Sequence, residues 1–171
     1  MLCVIASALH LGAKPDDVLK ALGSFSGLAH RLQYLGQKDE VLFINDSKAT
    51  NSAATSKALG AFENIYWIAG GEYKEKSFKL LEQGIPHIKK AYFIGRDADK
   101  FAGWAENKVN FKKSQNLQNA FQNAMKDARA NGQGVVLLSP ACASYDQFKN
   151  YQERGQAFQN LFKGLSDGGE L

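Results

Sequence analysis

An α/β domain built on a mostly parallel sheet is what this sequence predicts. Three observations carry the prediction: short apolar runs, helical patterns between them, and polar loops that follow the runs. The runs are Val41–Asn45, Ile65–Ala69, Ala91–Gly95, Val109–Lys112 and Val135–Ser139, with Val109–Lys112 the weakest. Short, mainly apolar strands are those buried on both faces, as strands of parallel sheets are. Alternation of strand and helix selects the same architecture.

The helical patterns follow in order. Asn51–Ala61 comes after the first run, with Thr50 or Asn51 available as N-cap. Ser77–Gln83 and Asp97–Glu106 follow the second and third. Leu117–Ala130 places Leu117, Ala120, Phe121, Ala124, Met125 and Ala128 on one face, and Gly132 ends it. Glu153–Leu165 repeats that pattern with Ala157, Phe158, Leu161 and Phe162. Ahead of the first strand, Leu2–Leu11 and Pro15–Leu22 read as two short helices. Pro15 suits the first helical position, Asp16 and Asp17 the first turn, and Gly23 the stop. This pair is too small to hold a core. Residues 1–29 therefore read as a helical tail of a preceding domain, and 30–171 as the sheet domain.

The totals agree with that division. A chain of 171 residues suits one domain with an appendage, and 44% hydrophobic content excludes global disorder. The net charge of +4 is not gathered into any basic run, so no nucleic-acid surface is expected. Cys3 and Cys142 form no metal-ligand spacing and read as two reduced thiols. No stretch reaches the length of a membrane span, and Met1–Leu11 lacks a basic leader, so a soluble cytoplasmic protein is expected.

In parallel sheets, ligands bind beyond the carboxyl ends of the strands. That rule singles out the loops Asn45–Asn51, Gly70–Lys76 and Ser139–Tyr151, which also hold the densest polar chemistry in the chain. Asn45-Asp46-Ser47-Lys48-Ala49-Thr50-Asn51 runs into a helix N-terminus, where amides, Thr50 and Lys48 can hold an anion while Asp46 accepts from hydroxyls. A capped turn with solvated charges uses the same residue types. Gly70-Gly71-Glu72-Tyr73-Lys74-Glu75-Lys76-Ser77 is not a phosphate-wrapping P-loop, because Glu75 stands where that motif needs glycine. It remains either an ordinary turn or a platform from which Lys74 reaches a carboxylate. Ser139-Pro140-Ala141-Cys142-Ala143-Ser144 offers small residues and a hydroxyl, and Pro140 ends the strand cleanly. Phe148 and Tyr151 after it read as core aromatics. His30-Arg31 reads as a solvated linker pair or, through the guanidinium fork, as a phosphate contact. His10 and His87 suggest structure only.

Taken together, these strings resemble the Mur ligase family, in its D-glutamate-adding branch. The matching pieces are Phe25-Ser26-Gly27-Leu28-Ala29-His30-Arg31, Ile44-Asn45-Asp46-Ser47-Lys48-Ala49-Thr50-Asn51 and Leu138-Ser139-Pro140-Ala141-Cys142-Ala143-Ser144, with Asp146, Phe148, Arg154-Gly155 and Phe158. The resemblance implies a Rossmann-like C-terminal domain of an ATP-dependent amide ligase of peptidoglycan synthesis. In that family ATP, with Mg²⁺, phosphorylates the carboxylate of UDP-N-acetylmuramoyl-L-alanine, and the D-glutamate amine displaces phosphate.

Carried over residue by residue, the resemblance gives Arg31 to the ATP phosphate and Asp46 to the ribose, with His30 counted among the nucleotide-binding residues. Thr50 and Lys74 fall to the α-carboxylate of D-glutamate, and Ser144 with the backbone near Tyr151 to its γ-carboxylate. Lys48 and Tyr145 would line the pocket. The resemblance leaves ATP and Mg²⁺ mainly to a domain outside this chain, so the chain alone is expected to be a catalytically incomplete monomer. The competing expectations are a ligase for another amino acid and a free-standing α/β module for an anionic ligand or protein partner.

Overall fold

The computed structural model describes residues 2–166; Met1 and 167–171, the outer ends of the two expected segments, lie outside the described residues. Six strands form one sheet: β1 (Gln33–Lys38), β2 (Val41–Asn45), β3 (Ile65–Gly70), β4 (Ile88–Ile94), β5 (Phe111–Gln115) and β6 (Gly134–Leu138). Their order is β1-β2-β6-β3-β4-β5, with β1 antiparallel to β2 and the other pairs parallel. The helices are α1 (Leu2–His10), α2 (Pro15–Ser24), α3 (Ser52–Leu59), α4 (Ala98–Ala105), α5 (Leu117–Ala130) and α6 (Tyr151–Ser166), with a 3-10 helix over Lys79–His87.

The expected α/β class holds, with local differences. Strand β1 was not anticipated: Gln33–Lys38 is polar, lies at the edge of the sheet and carries a bulge between Tyr34 and Gly36. Strand β5 begins two residues later than expected, because the Val109 amide still donates to Ala105 at the exit of α4. The expected helix at Ser77–Gln83 is the displaced 3-10 turn, which contains Pro86, a residue without the amide that an α-helix needs. Helix α6 starts at Tyr151, ahead of Glu153.

Two apolar layers sandwich the sheet. On one face, Trp67, Phe93 and Phe101 pack with Leu59 and Leu81, beneath α3, the 3-10 helix and α4. On the other, Phe43, Tyr92, Phe121 and Phe158 pack beneath α5 and α6. Each large side chain removed from water contributes about 1.5–3 kcal/mol, so these layers dominate the stability. Helices α1 and α2 contribute no buried residue; Leu2, Val4 and Leu11 face solvent.

The topology creates a crevice. Strands β2 and β6 are neighbours, yet α3 leaves β2 for one face and α6 follows β6 on the other. Chains that part in opposite directions leave a gap above the strand ends, where ligands of open α/β sheets bind.

Candidate functional site

Asn45, the last residue of β2, ties three segments together. Its Nδ2 donates to the Gly155 carbonyl at 2.9 Å and meets His30 Nδ1 at 3.1 Å, while its Oδ1 accepts the Ser47 amide at 3.2 Å. The Lys48 amide then donates to the His30 carbonyl at 3.0 Å. His30 is thus neither a solvated linker residue nor a member of either cavity described below. Its ring is buried against Gly155, and burial lowers its pKa. The turn it occupies is strained: His30 and Leu32 have φ of 63° and 43°, left-handed values that side chains resist. That turn sends the exposed Arg31 outward while His30 points in.

Asp46 is buried and spans the crevice. Its Oδ1 accepts the Leu32 amide at 3.1 Å and its Oδ2 the Ser139 hydroxyl at 2.8 Å. Burial pushes its carboxyl above the ordinary range, and those hydrogen bonds and the Arg31 charge only partly offset this.

Among the described residues the most buried charged side chain is Arg154, which is 1% exposed. Its Nε donates to Ser47 Oγ at 3.0 Å, and its Nη2 donates to the carbonyls of Ser47 and Cys142 at 2.9 and 3.1 Å. Ser47 Oγ in turn donates to the Tyr151 carbonyl at 2.8 Å. One guanidinium therefore joins the loop after β2 to the loop after β6. Desolvation holds its pKa down to about 10. Cys142 beside it is fully buried, and burial pushes its thiol up, so it is a packed thiol, while Cys3 is exposed. The sequence offers no sign of this network. Its acceptors are the hydroxyl and carbonyl of Ser47, 107 residues away along the chain, and the carbonyl of Cys142.

The loop after β3 is sewn to the loop after β6. Glu72 and Ala143 exchange both backbone hydrogen bonds, at 2.9 and 3.1 Å, and the Gly70 amide donates to Pro140. Gly71, at φ +130°, makes this approach possible: a Cβ there would lie 2.3 Å from the Ala143 carbonyl oxygen. The Tyr73 amide donates to Asp97 at 2.7 Å. Asn51 caps α3 by accepting the Ala54 amide at 2.8 Å.

These ties gather six of the residues singled out above around one cavity of about 310 Å³: Lys48, Thr50, Lys74, Ser144, Tyr145 and Tyr151, with Ala143 completing the wall. Lys48 Nζ sits 4.2 Å over the Tyr151 ring and Lys74 Nζ 5.5 Å over the Tyr145 ring. Among the described residues, neither lysine pairs with a carboxylate. Both charges remain available to an anion. Tyr151 is thus a wall of the cavity, whereas Phe148 packs against the core as expected.

A second cavity, about 330 Å³, is lined by Arg31, Leu32, Asp46, Lys48, Ala49, Ala54 and Lys57. Lys48 belongs to both. Lys57 was not anticipated, although its position in α3 one turn beyond Ala54 would have placed it there. A larger cavity, about 570 Å³ between the start of α5 and α6, has no charged side chain in its wall and lies outside this polar convergence.

Residues 30–142 match the family model described as Mur ligase, glutamate ligase domain. The chain belongs to the Mur ligase family. Among its curated relatives, the UDP-N-acetylmuramoylalanine--D-glutamate ligase of Nitrobacter hamburgensis is 48% identical over 95% of this chain. The enzyme of the same name from Wolbachia pipientis is 44% identical over 91% of it. This Mur ligase chain spans 35% and 31% of those relatives' lengths. The crystal structure of UDP-N-acetylmuramate-alanine ligase from Thermotoga maritima superposes with a TM-score of 0.67, covering 96% of this chain and 37% of that one. At 14% identity, that likeness concerns the fold. Among the described residues of this Mur ligase, no helix is long and apolar enough to cross a membrane, and no group of three or more His, Cys, Asp or Glu side chains gathers as a metal site.

Proposed function

We propose that this chain is the amino-acid-binding domain of a ligase that adds D-glutamate to UDP-N-acetylmuramoyl-L-alanine in cytoplasmic peptidoglycan synthesis. The observation that carries the reading is the cavity in which Lys48, Thr50, Lys74 and Ser144 converge with two unpaired ammonium groups. D-glutamate has two carboxylates and one ammonium. Thr50 and Lys74 hold the α-carboxylate; Ser144 and the backbone near Tyr151 hold the γ-carboxylate; Lys48 and Tyr145 close the sides.

Holding both carboxylates leaves the amine as the free end. When it attacks the activated carboxylate of the nucleotide sugar, an amide C–N bond forms, the bond to phosphate oxygen breaks, and the amine gives up a proton. Orientation of that kind is worth up to about 7–11 kcal/mol of a reaction barrier. The neighbouring cavity suits the nucleotide. Arg31, Lys48 and Lys57 place positive charge for polyphosphate, and Asp46 retains lone pairs for a ribose hydroxyl. ATP supplies the phosphoryl group. This reading assigns the phosphate-wrapping loop and the Mg²⁺ ligands to the preceding domain, of which residues 1–29 are the tail. The solvent-facing leucines of α1 and α2 support that division.

The test is titration of D-glutamate, with L-glutamate as control, into the isotope-labelled chain. Amide shifts selective for the D form at Lys48–Asn51, Lys74 and Ser144–Tyr151 are expected. Equal responses to both enantiomers, or none at high millimolar ligand, would remove the D-glutamate assignment. The isolated chain is expected to show no D-glutamate-dependent ATP turnover.

A further inference from the structure

The crest of the loop after β3, residues 74–76, is held differently from its flanks. On one side the backbone of Gly70, Glu72 and Tyr73 is tied to Pro140, Ala143 and Asp97. On the other, the Phe78 ring stacks on Tyr73 at 4.4 Å. Between these anchors, no backbone amide of Lys74, Glu75 or Lys76 donates to another backbone group. The crest makes one hydrogen bond through a side chain: Glu75 Oε1 accepts the amide of Ser52 at 2.8 Å.

Ser52 is the first residue of α3, two positions beyond Thr50. A carboxylate on the first amide of a helix is favoured twice, by an otherwise unpaired N–H and by the positive end of the helix dipole. The same residue's hydroxyl meets Tyr73 Oη at 2.9 Å, and Tyr73 Oη donates to the Ser77 carbonyl at 2.8 Å. Ser52 therefore receives the loop at two points. The glutamate that rules out a P-loop takes the helix-terminal seat that a phosphate would use.

We infer that Glu75 is the positioning residue for Lys74: by capping α3 it fixes the crest of one loop against the end of the other, so that Lys74 faces Thr50 across the cavity. The inference deepens the amino-acid-binding reading and rests on it for its functional consequence. Lys74 itself is exposed, and its described contact is the Tyr145 face at 5.5 Å, a soft interaction that does not define a position. The rigid connection runs through its neighbour.

Glu75→Ala and Glu75→Gln in the labelled chain provide the test, with residual dipolar couplings of amides 74–76 measured without ligand and D-glutamate affinity measured beside them. Alanine removes the acceptor. Its couplings should average toward zero and D-glutamate affinity should fall about tenfold, the effect of losing one charge-assisted positioning contact. Glutamine keeps an acceptor oxygen and should restore both. Wild-type couplings in the alanine variant, or no rescue by glutamine, would overturn the inference. Should the parent chain bind no D-glutamate, the substrate reading falls, while the couplings still judge Glu75.

Discussion

The imidazole of His30 fills the space that a methyl group on Gly155 would need. A Cβ at Gly155 would lie 2.3 Å from His30 Nδ1 and 2.7 Å from Cγ. The turn before β1 is thereby locked to α6, and Asn45 of β2 hydrogen-bonds both partners. Arg31 and Lys48, which line the second cavity, flank this joint in the chain or hydrogen-bond to it.

Gly155→Ala should therefore destabilise the chain, against the usual rule for helices. In an open helix alanine gains about 0.5–1 kcal/mol over glycine. Here the methyl meets a ring with nowhere to go, and overpacking costs about 1–3 kcal/mol. Urea unfolding gives the sign directly; a more stable alanine variant would show that the ring is not held there.

Acidification should weaken the same joint. Burial lowers the His30 pKa below its ordinary 6.5, so the folded state binds its proton less readily than the unfolded chain. The stability this confers is complete above the unfolded value and is lost as pH falls through 6.5 toward the folded value. Unfolding free energies at about pH 7.5 and about pH 5.5 should differ more in the wild type than in His30→Gln. Equal differences would remove His30 as the cause.

Arg154→Met should cost about 2–4 kcal/mol, because it strands the Ser47 and Cys142 carbonyls in a buried place without donors. Lysine should not rescue it, since one ammonium cannot reproduce the planar fork. Chemical denaturation reads the loss, and the Ser47 amide resonance reports whether the two loops have parted. A cost below about 1 kcal/mol would mean that water replaces the guanidinium.

Lys48 and Lys57 should separate the two cavities. Lys48 lines both, so Lys48→Met should weaken D-glutamate and ATP alike, each by about tenfold. Lys57 lines only the second, so Lys57→Met should weaken ATP alone. Calorimetric titrations with each ligand decide it. Loss of D-glutamate binding in Lys57→Met would contradict the division.

Strands β2, β3, β4 and β6 were legible because burial on both faces leaves an uninterrupted apolar run. The three loops were legible because strand ends fix where ligands sit, and six of the proposed amino-acid contacts do share one cavity. His30 and Arg154 were not legible. Local sequence makes both look solvated, and only contacts to residues such as Gly155, Ser47 and Cys142 take them inside. Tyr151 was misread toward the core for the opposite reason: an aromatic ring reads as core material, and its polar neighbours Asn150 and Gln152 give no hint that a lysine will lie over its face.

The two strands hardest to read, β1 and β5, are the outermost ones, and their polarity protects the chain as it stands alone. An open sheet offers unpaired amides and carbonyls at each rim, a template on which another chain can add and begin a fibril. Here one rim is bent by the Tyr34–Gly36 bulge and ends on Lys38. The other carries Lys112 and Lys113, which lean to Asn123 and Asp99 on its flanking helices. An incoming strand would have to displace those bonds and bury two charges. The apolar runs that build the core are thus sealed between rims that resist self-assembly.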